Sequence, residues 1–194
     1  AVGVTPDLEA LQTATQALVN CDSLAFITKI KRISQALWSG SEGFKAMPDG
    51  DLATDSAVTA ALDAGSSRLL ELKHYSGASL YYGGEWYWGV DRLFHLEQRL
   101  RDLGACHEPN QPYLVPRPQI DLTGVDAAHL ALHFYPSLNS PYTAIIFDRT
   151  VALAKACGVA FYHKPVLPMI MRGVAATPAK GRYIFFDTKR EADY

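Results

Sequence analysis

The sequence lacks the features by which several large classes of protein are recognised. No apolar run in its 194 residues approaches the ~18 that a membrane-spanning helix needs. The net charge is -2 and there is no basic block, so binding to nucleic acid or to an acidic membrane is not expected. There is also no Gly-rich phosphate loop, zinc-finger spacing or Gly-x-Ser-x-Gly elbow. With 48% hydrophobic and 20% charged residues, the chain can still bury a core.

Cysteine is also scarce. Cys21, Cys106 and Cys157 are far apart and odd in number, and the sequence contains no Cys-x-x-Cys pair. This pattern fits a reducing compartment better than a disulfide framework. We therefore predict a cytoplasmic location and no catalytic cysteine.

The clearest pattern that the sequence does contain is a strand, a turn, a helix and a second strand. Apolar residues alternate along residues 130–135, which is the period of a strand. Ser140 is then suited to cap a helix whose first residue is Pro141, where no amide hydrogen is missed. Gly158 is suited to a left-handed helix stop, and residues 159–166 form the second predicted strand. This order predicts a βαβ unit with parallel strands.

Ser140 is the candidate functional residue because its hydroxyl is placed at the first turn of that helix. The free amides there, with a partial charge of roughly +0.5, favour a thiolate or carboxylate by a few tenths to about 2 kcal/mol. The alternative is that Ser140 is only a helix cap.

A β-hairpin is predicted earlier in the chain. Residues 78–82 and 85–88 flank Gly83 and Gly84, a two-residue connection that suits the turns in which both residues have positive φ. Its aromatic residues could belong to the core or to the wall of an apolar substrate pocket. We expect at least half of them to belong to the core. These aromatic residues are Tyr81, Tyr82, Trp86, Tyr87 and Trp88.

A helix is predicted to follow the hairpin, from Asp91 to a stop at Gly104. Glu97 and Arg101 are spaced as an i,i+4 ion pair on it.

The remaining segments are predicted to have structural roles. Three amphipathic helices precede residue 73, the third of them beginning at Thr54 or Asp55, and residues 39–43 have the composition of a loop. Residues 105–128 hold four prolines with polar neighbours, which is typical of a linker.

Two segments resemble one family. Residues 135–146, YPSLNSPYTAII, and residues 84–93, GEWYWGVDRL, are similar to segments of the 2-hydroxychromene-2-carboxylate isomerases and kappa-class glutathione transferases. These proteins form part of the DsbA-like branch of the thioredoxin superfamily. The resemblance implies an α/β, thioredoxin-like fold with βαβ and β-hairpin-helix halves and a helical insertion.

The resemblance also implies a function and a set of ligand contacts. Ser140 would hydrogen-bond the sulfur of glutathione, whose thiolate would add reversibly to a small conjugated organic substrate in an isomerase or transferase reaction. Further contacts with glutathione fall on Val90, Asp91, Asn139, Tyr142 and Lys180. The alternatives are that Asp91 only caps its own helix and that Lys180 is a solvated lysine at a helix start.

The halves occur in reversed order, which leaves two interpretations. We divide the chain into residues 1–104 (helical insertion and hairpin-helix half), the linker 105–128, and residues 129–194 (βαβ half and the start of a helical insertion). Either the halves are permuted within one domain, or they belong to two incomplete domains of a longer tandem protein. A homodimer or association with missing halves is then expected. The proline that this family usually carries before the hairpin is also absent, because Gly77-Ala78-Ser79 stands there.

Two other functions stay open. A thiol-disulfide oxidoreductase would need a nucleophilic cysteine where Ser140 stands. A non-catalytic thioredoxin-fold binding module would need no reactive group at all.

Overall fold

The computed structural model describes residues 5–40 and 52–194. The chain divides into two compact units, residues 1–72 and residues 73–194. The described residues combine α-helices with short strands, which confirms the expected mixed α/β class. None of the helices in these ranges has the length and apolarity that crossing a bilayer requires. The division into residues 1–104, 105–128 and 129–194 stays a prediction.

The first unit is helical in its described part. Asp7, Asp22 and Thr54 each accept a hydrogen bond from a first-turn amide of the helix that follows, so Thr54 caps the third helix as predicted. Residues 41–43 of the predicted loop lie outside the described residues. The helices are α1 (Leu8–Val19), α2 (Ser23–Ser39) and α3 (Asp55–Glu71).

The second unit begins with the predicted hairpin, formed by β1 (Ser79–Tyr82) and β2 (Glu85–Trp88). The strands pair antiparallel, and both turn glycines have positive φ, 57° at Gly83 and 87° at Gly84. This confirms the hairpin. The expectation that at least half of its aromatic residues are core is wrong, since Tyr87 is the one of the five that is buried. A two-stranded sheet has too little area to cover both of its faces.

The helix after the hairpin begins later than predicted. A 3₁₀ turn (Val90–Arg92) comes first, and α4 (Leu93–Asp102) follows it. Asp91 does not cap this helix, because its carboxylate accepts a hydrogen bond from Arg92 at 2.7 Å instead. The predicted Glu97–Arg101 pair is confirmed at 2.8 Å.

The Glu97–Arg101 pair also binds the proline-rich segment. Arg101 donates to the carbonyls of Pro109, Gln111 and Pro112 at 2.8 to 3.0 Å. Glu97 accepts from two amides of the same segment, those of Leu114 and Val115. Residues 105–128 contain no helix or strand, so side chains of α4 supply the hydrogen bonds that a helix or sheet would otherwise supply.

The predicted βαβ unit is confirmed. β3 (Ala131–Phe134) pairs in parallel with β4 (Ala160–His163) across α5 (Pro141–Cys157), and α5 ends at Gly158 with φ 70°. A 3₁₀ turn (Met169–Arg172) and α6 (Pro178–Asp193) complete the unit. The two strand pairs form separate two-stranded sheets within the described residues.

Candidate functional site

A cavity of about 510 Å³ opens at the start of α5. The residues of the turn before the helix form one side of it. The 3₁₀ turn after β4 and the first two turns of α6 form the other sides. Ser140, which is half-buried, is one of the lining residues. The sequence-predicted candidate therefore faces a space that can hold a ligand.

The Ser140 hydroxyl is not used to cap α5. The residue has the extended backbone of an N-cap, with φ -103° and ψ 118°, but its side chain makes no capping hydrogen bond. The turn is held instead by the Ser140 amide, which donates to Ser137 O at 2.9 Å, and by the Ser137 amide, which donates to Thr143 Oγ1 at 3.1 Å. Capping therefore does not explain the hydroxyl.

The walls of this cavity combine one cation with apolar groups. Arg172 supplies the cation, and the apolar lining includes Met169, Ile170 and Ile184. The first amides of α5 have no acceptor within their own helix, and the helix dipole places partial positive charge at the same end. A ligand with an anionic atom attached to an apolar group would match the positive charge and the apolar lining of this cavity.

The structure gathers two of the other predicted contacts around Ser140. Asn139 and Tyr142 line the same cavity. Lys180 does not line it, although the next residue, Gly181, does. The Lys180 amide donates to Thr177 Oγ1 at 3.3 Å in the first turn of α6, and the residue is half-buried.

Val90 and Asp91 lie elsewhere. They line a separate cavity of about 490 Å³, together with parts of the proline-rich segment. The Asp91 side chain is 71% exposed and paired with Arg92. The structure therefore does not bring these two residues into the cavity that Ser140 lines.

The most buried charged group of the unit is Asp187 on α6, whose side chain is 1% exposed. Arg92 donates two hydrogen bonds to its carboxylate, at 2.8 and 2.9 Å. The hydroxyls of Tyr142 and Tyr183 donate to it at 2.7 and 3.1 Å. Through Tyr142, this carboxylate holds the first turn of α5, next to Ser140.

The pKa values follow from these contacts. Burial acts to raise the pKa of Asp187, but hydrogen bonds from Arg92 and from Tyr142 outweigh it and hold the pKa below its ordinary value. Burial and the hydrogen bond to Asp187 raise the pKa of the Tyr142 phenol. Tyr142 therefore stays protonated and remains a donor.

A second carboxylate, Glu191, lies one turn further along α6. Arg117 donates to it at 2.7 Å, and His95 Nε2 lies 2.8 Å from it. The same Nε2 lies 2.7 Å from Arg117 Nη2. Burial lowers the pKa of His95, so its ring is neutral and Nε2 either donates to Glu191 or accepts from Arg117.

The sequence analysis did not find this network. Tyr183, Asp187 and Glu191 are spaced at i, i+4 and i+8, so they share one helix face, yet polar residues in such a row usually face solvent. Their partner Arg92 is 95 positions from Asp187. Nothing in the local pattern of α6 shows which face is buried.

The buried histidines predict a stability that falls on mild acidification. Burial lowers the pKa of both His74 and His95, so between the ordinary value of 6.5 and the lowered folded value only the unfolded chain takes up protons. We expect the urea midpoint to fall as the pH is lowered from about 7 to about 5.

The groups responsible can be identified with variants. His95→Gln should flatten the pH dependence, whereas His107→Gln, which changes an exposed histidine, should leave it unchanged. A midpoint that is constant between these pH values would contradict the prediction. Below about pH 4 a further loss is expected, because the lowered pKa values of Asp187 and Glu191 stabilise the fold only while both carboxylates are ionised.

No cysteine contributes to the lining of the Ser140 cavity. Cys21, Cys106 and Cys157 are free thiols, and none of them lines it. Within residues 5–40 and 52–194, no three His, Cys, Asp or Glu side chains are grouped closely enough to hold a metal ion.

Comparison with known proteins adds no assignment. No family model matches the chain, and it has no significant match among curated proteins or solved structures.

Proposed function

We propose that the chain binds a small thiol at the start of α5, as a glutathione-dependent protein of the isomerase or transferase type. The observation that carries the proposal is the Ser140 hydroxyl, which lines a cavity of about 510 Å³ and makes no capping hydrogen bond. A hydroxyl that holds neither its own helix nor a neighbouring group is available to a ligand. The proposed location remains cytoplasmic, a compartment in which free cysteines are common.

The residues of the cavity have distinct roles in this proposal. The Ser140 hydroxyl would donate to the sulfur, and the first amides of α5 would favour its anionic form. Lowering a thiol pKa from about 8.5 to about 7 takes about 2 kcal/mol, which one charge-assisted hydrogen bond and a helix start can supply. Arg172 would pair with a carboxylate, while Ile170 and Ile184 would contact an apolar substrate.

Glutathione supplies a nucleophilic thiolate when it is bound, and only part of the predicted contact set fits it. Ser140, Asn139 and Tyr142 share the cavity, whereas Val90 and Asp91 line another one. The γ-glutamyl end would therefore need contacts other than these two residues. Arg172 is the cation that the cavity offers for that end.

The thioredoxin-like part of the proposal rests on the two halves. The antiparallel hairpin with α4 and the parallel βαβ unit have the element order of the two halves. The halves do not share a sheet within the described residues, which supports two incomplete domains over one permuted domain. On this view each sheet would gain its missing strands from another copy or another segment.

The proposal predicts that Ser140→Ala weakens glutathione binding by about tenfold or more, because a hydrogen bond to a charged group is worth about 1.5 to 3 kcal/mol. Isothermal titration calorimetry measures the affinity. The unfolding midpoint should shift little, since the hydroxyl makes no capping bond.

Two controls make this test specific. Ser39→Ala removes a hydroxyl that donates to Ala36 O at the end of α2 and should leave binding unchanged. S-methylglutathione has no thiol, so it should bind the parent chain weakly and be insensitive to Ser140→Ala. Absence of heat with glutathione, or equal affinity in Ser140→Ala, would refute the proposal.

The second candidate is a non-catalytic binding module. It is favoured by the apolar surface of the βαβ unit, where Phe147 and Val151 on α5 are 38% and 40% exposed. Such side chains suit a partner surface. The oxidoreductase alternative has less support, because no cysteine lines the Ser140 cavity. Turnover of dithiols by the chain would favour the oxidoreductase over the binding module.

A further inference from the structure

A third, smaller cavity lies between the hairpin and α6. Its volume is about 140 Å³, well below the roughly 300 to 1,000 Å³ of sites that hold drug-sized ligands. Aromatic rings form much of its wall, from Trp86 on β2 and from Tyr183 and Phe186 on α6. None of the residues singled out by the sequence analysis for glutathione lines it. Its size admits one small molecule with a single ring.

The buried His74 ring packs against two of these aromatic rings and fixes their positions. The His74 ring, which is fully buried, stacks on Trp86 with a centroid distance of 4.3 Å. The same ring meets Tyr183 edge-on at 5.1 Å. The fixed side chains lose little conformational freedom on binding, and a rigid ligand loses little as well. Flat aromatic rings also stack best on a planar ligand.

The charges that line the cavity do not balance. Lys73, Arg182 and Arg190 provide three cations. The two lining carboxylates are already engaged: Glu85 accepts from Tyr87 at 2.9 Å and from Arg190 at 3.3 Å. Asp187 is held by Arg92, which is not one of the lining residues.

The remaining cations have no carboxylate of their own. Neither Lys73 nor Arg182 forms an ion pair with any residue in the described ranges. The Arg182 guanidinium lies over the Phe186 ring, 4.9 Å from its centroid, so an aromatic group and a positive charge are presented together. A guanidinium binds a planar carboxylate with two parallel hydrogen bonds.

We propose that this cavity is a binding site for a small aromatic carboxylate. The ring of the ligand would lie among Trp86, Tyr183 and Phe186. Its carboxylate would pair with Arg182 and Lys73. This site is separate from the Ser140 cavity and does not depend on the function proposed for it.

Benzoate is the probe that tests the site, with calorimetry as the measurement. We expect one benzoate per chain and an affinity about tenfold lower in Arg182→Gln, the loss of one charge-assisted contact. Lys73→Gln should weaken binding in the same direction. Both residues are exposed, so the variants should fold. Benzamide, which keeps the ring without the charge, and acetate, which keeps the charge without the ring, should each bind at least about tenfold more weakly.

Matched variants of the other cavity locate the ligand. Arg172→Gln changes the arginine that lines the Ser140 cavity and should leave benzoate binding unchanged, as should Ser140→Ala. Weaker binding in Arg172→Gln but not in Arg182→Gln would overturn the proposal, because benzoate would then occupy the first cavity. No heat with benzoate, or equal affinity for benzamide, would overturn it as well.

Discussion

Asp187→Asn is expected to lower the free energy of unfolding by about 3 to 5 kcal/mol, the usual cost of breaking a buried ion pair from one side. The substitution keeps the shape of the side chain but removes the charge that Arg92 and two tyrosine hydroxyls share. Arg92 would keep Asp91 and Glu191 as ion-pair partners but would lose the charge of the carboxylate that it binds through two hydrogen bonds. Urea unfolding followed by circular dichroism measures the change.

Asp193→Asn is the matched control for this prediction. Asp193 lies on the same helix, is 62% exposed and pairs with Lys189. An exposed pair contributes less than about 1 kcal/mol, so this variant should unfold close to the parent midpoint. Equal shifts in the two variants would mean that the buried network does not stabilise the second unit.

Ile33→Ala is expected to destabilise the helical unit by about 2 to 5 kcal/mol, because it removes buried methyl and methylene groups and leaves a cavity. The side chain is 1% exposed and is one of the largest fully buried side chains. Thermal or urea unfolding gives the loss. The same experiment with a fluorescent probe on α1 would follow this unit alone.

Ile27→Ala tests whether burial is the cause. Ile27 belongs to the same helix but is 59% exposed, so its truncation should change stability by no more than about 0.5 kcal/mol. A comparable loss in both variants would contradict burial as the cause, because alanine has the higher helix propensity and does not destabilise a helix through it.

Local rules predicted the elements well. The Gly83-Gly84 turn, the Pro141 start and the Gly158 stop of α5 are each fixed by the backbone preferences of one or two residues, so their signals lie within a few positions. The parallel pairing of β3 with β4 follows from the length of the connection between them. These features needed no information from distant residues.

The predictions that were wrong concern residues with more than one available partner or environment. Asp91 had the right residue type and position for a helix cap, but the neighbouring guanidinium of Arg92 attracts its carboxylate and a 3₁₀ turn precedes the helix. The aromatic residues of the hairpin had the composition of a core, but two strands provide too little sheet to bury them. Which partner prevails depends on geometry that a local pattern does not contain.

The sequence predicted only the part of the candidate site whose residues are close together in the chain. Ser140, Asn139 and Tyr142 are close in sequence and share one cavity, as a local turn requires. The ionic network around Asp187 and the cavity beside Trp86 both combine α6 with residues roughly a hundred positions earlier. Only the folded chain brings those side chains together.

One hydrogen bond joins the Ser140 cavity to the cavity beside Trp86. Tyr142 lines the first, Asp187 lines the second, and the phenol donates to the carboxylate at 2.7 Å. A ligand in the Ser140 cavity that displaces the Tyr142 ring would therefore disturb the Asp187 carboxylate in the wall of the cavity beside Trp86. If binding in one cavity changes the affinity of the other, thermodynamic linkage requires the reverse effect to have the same factor.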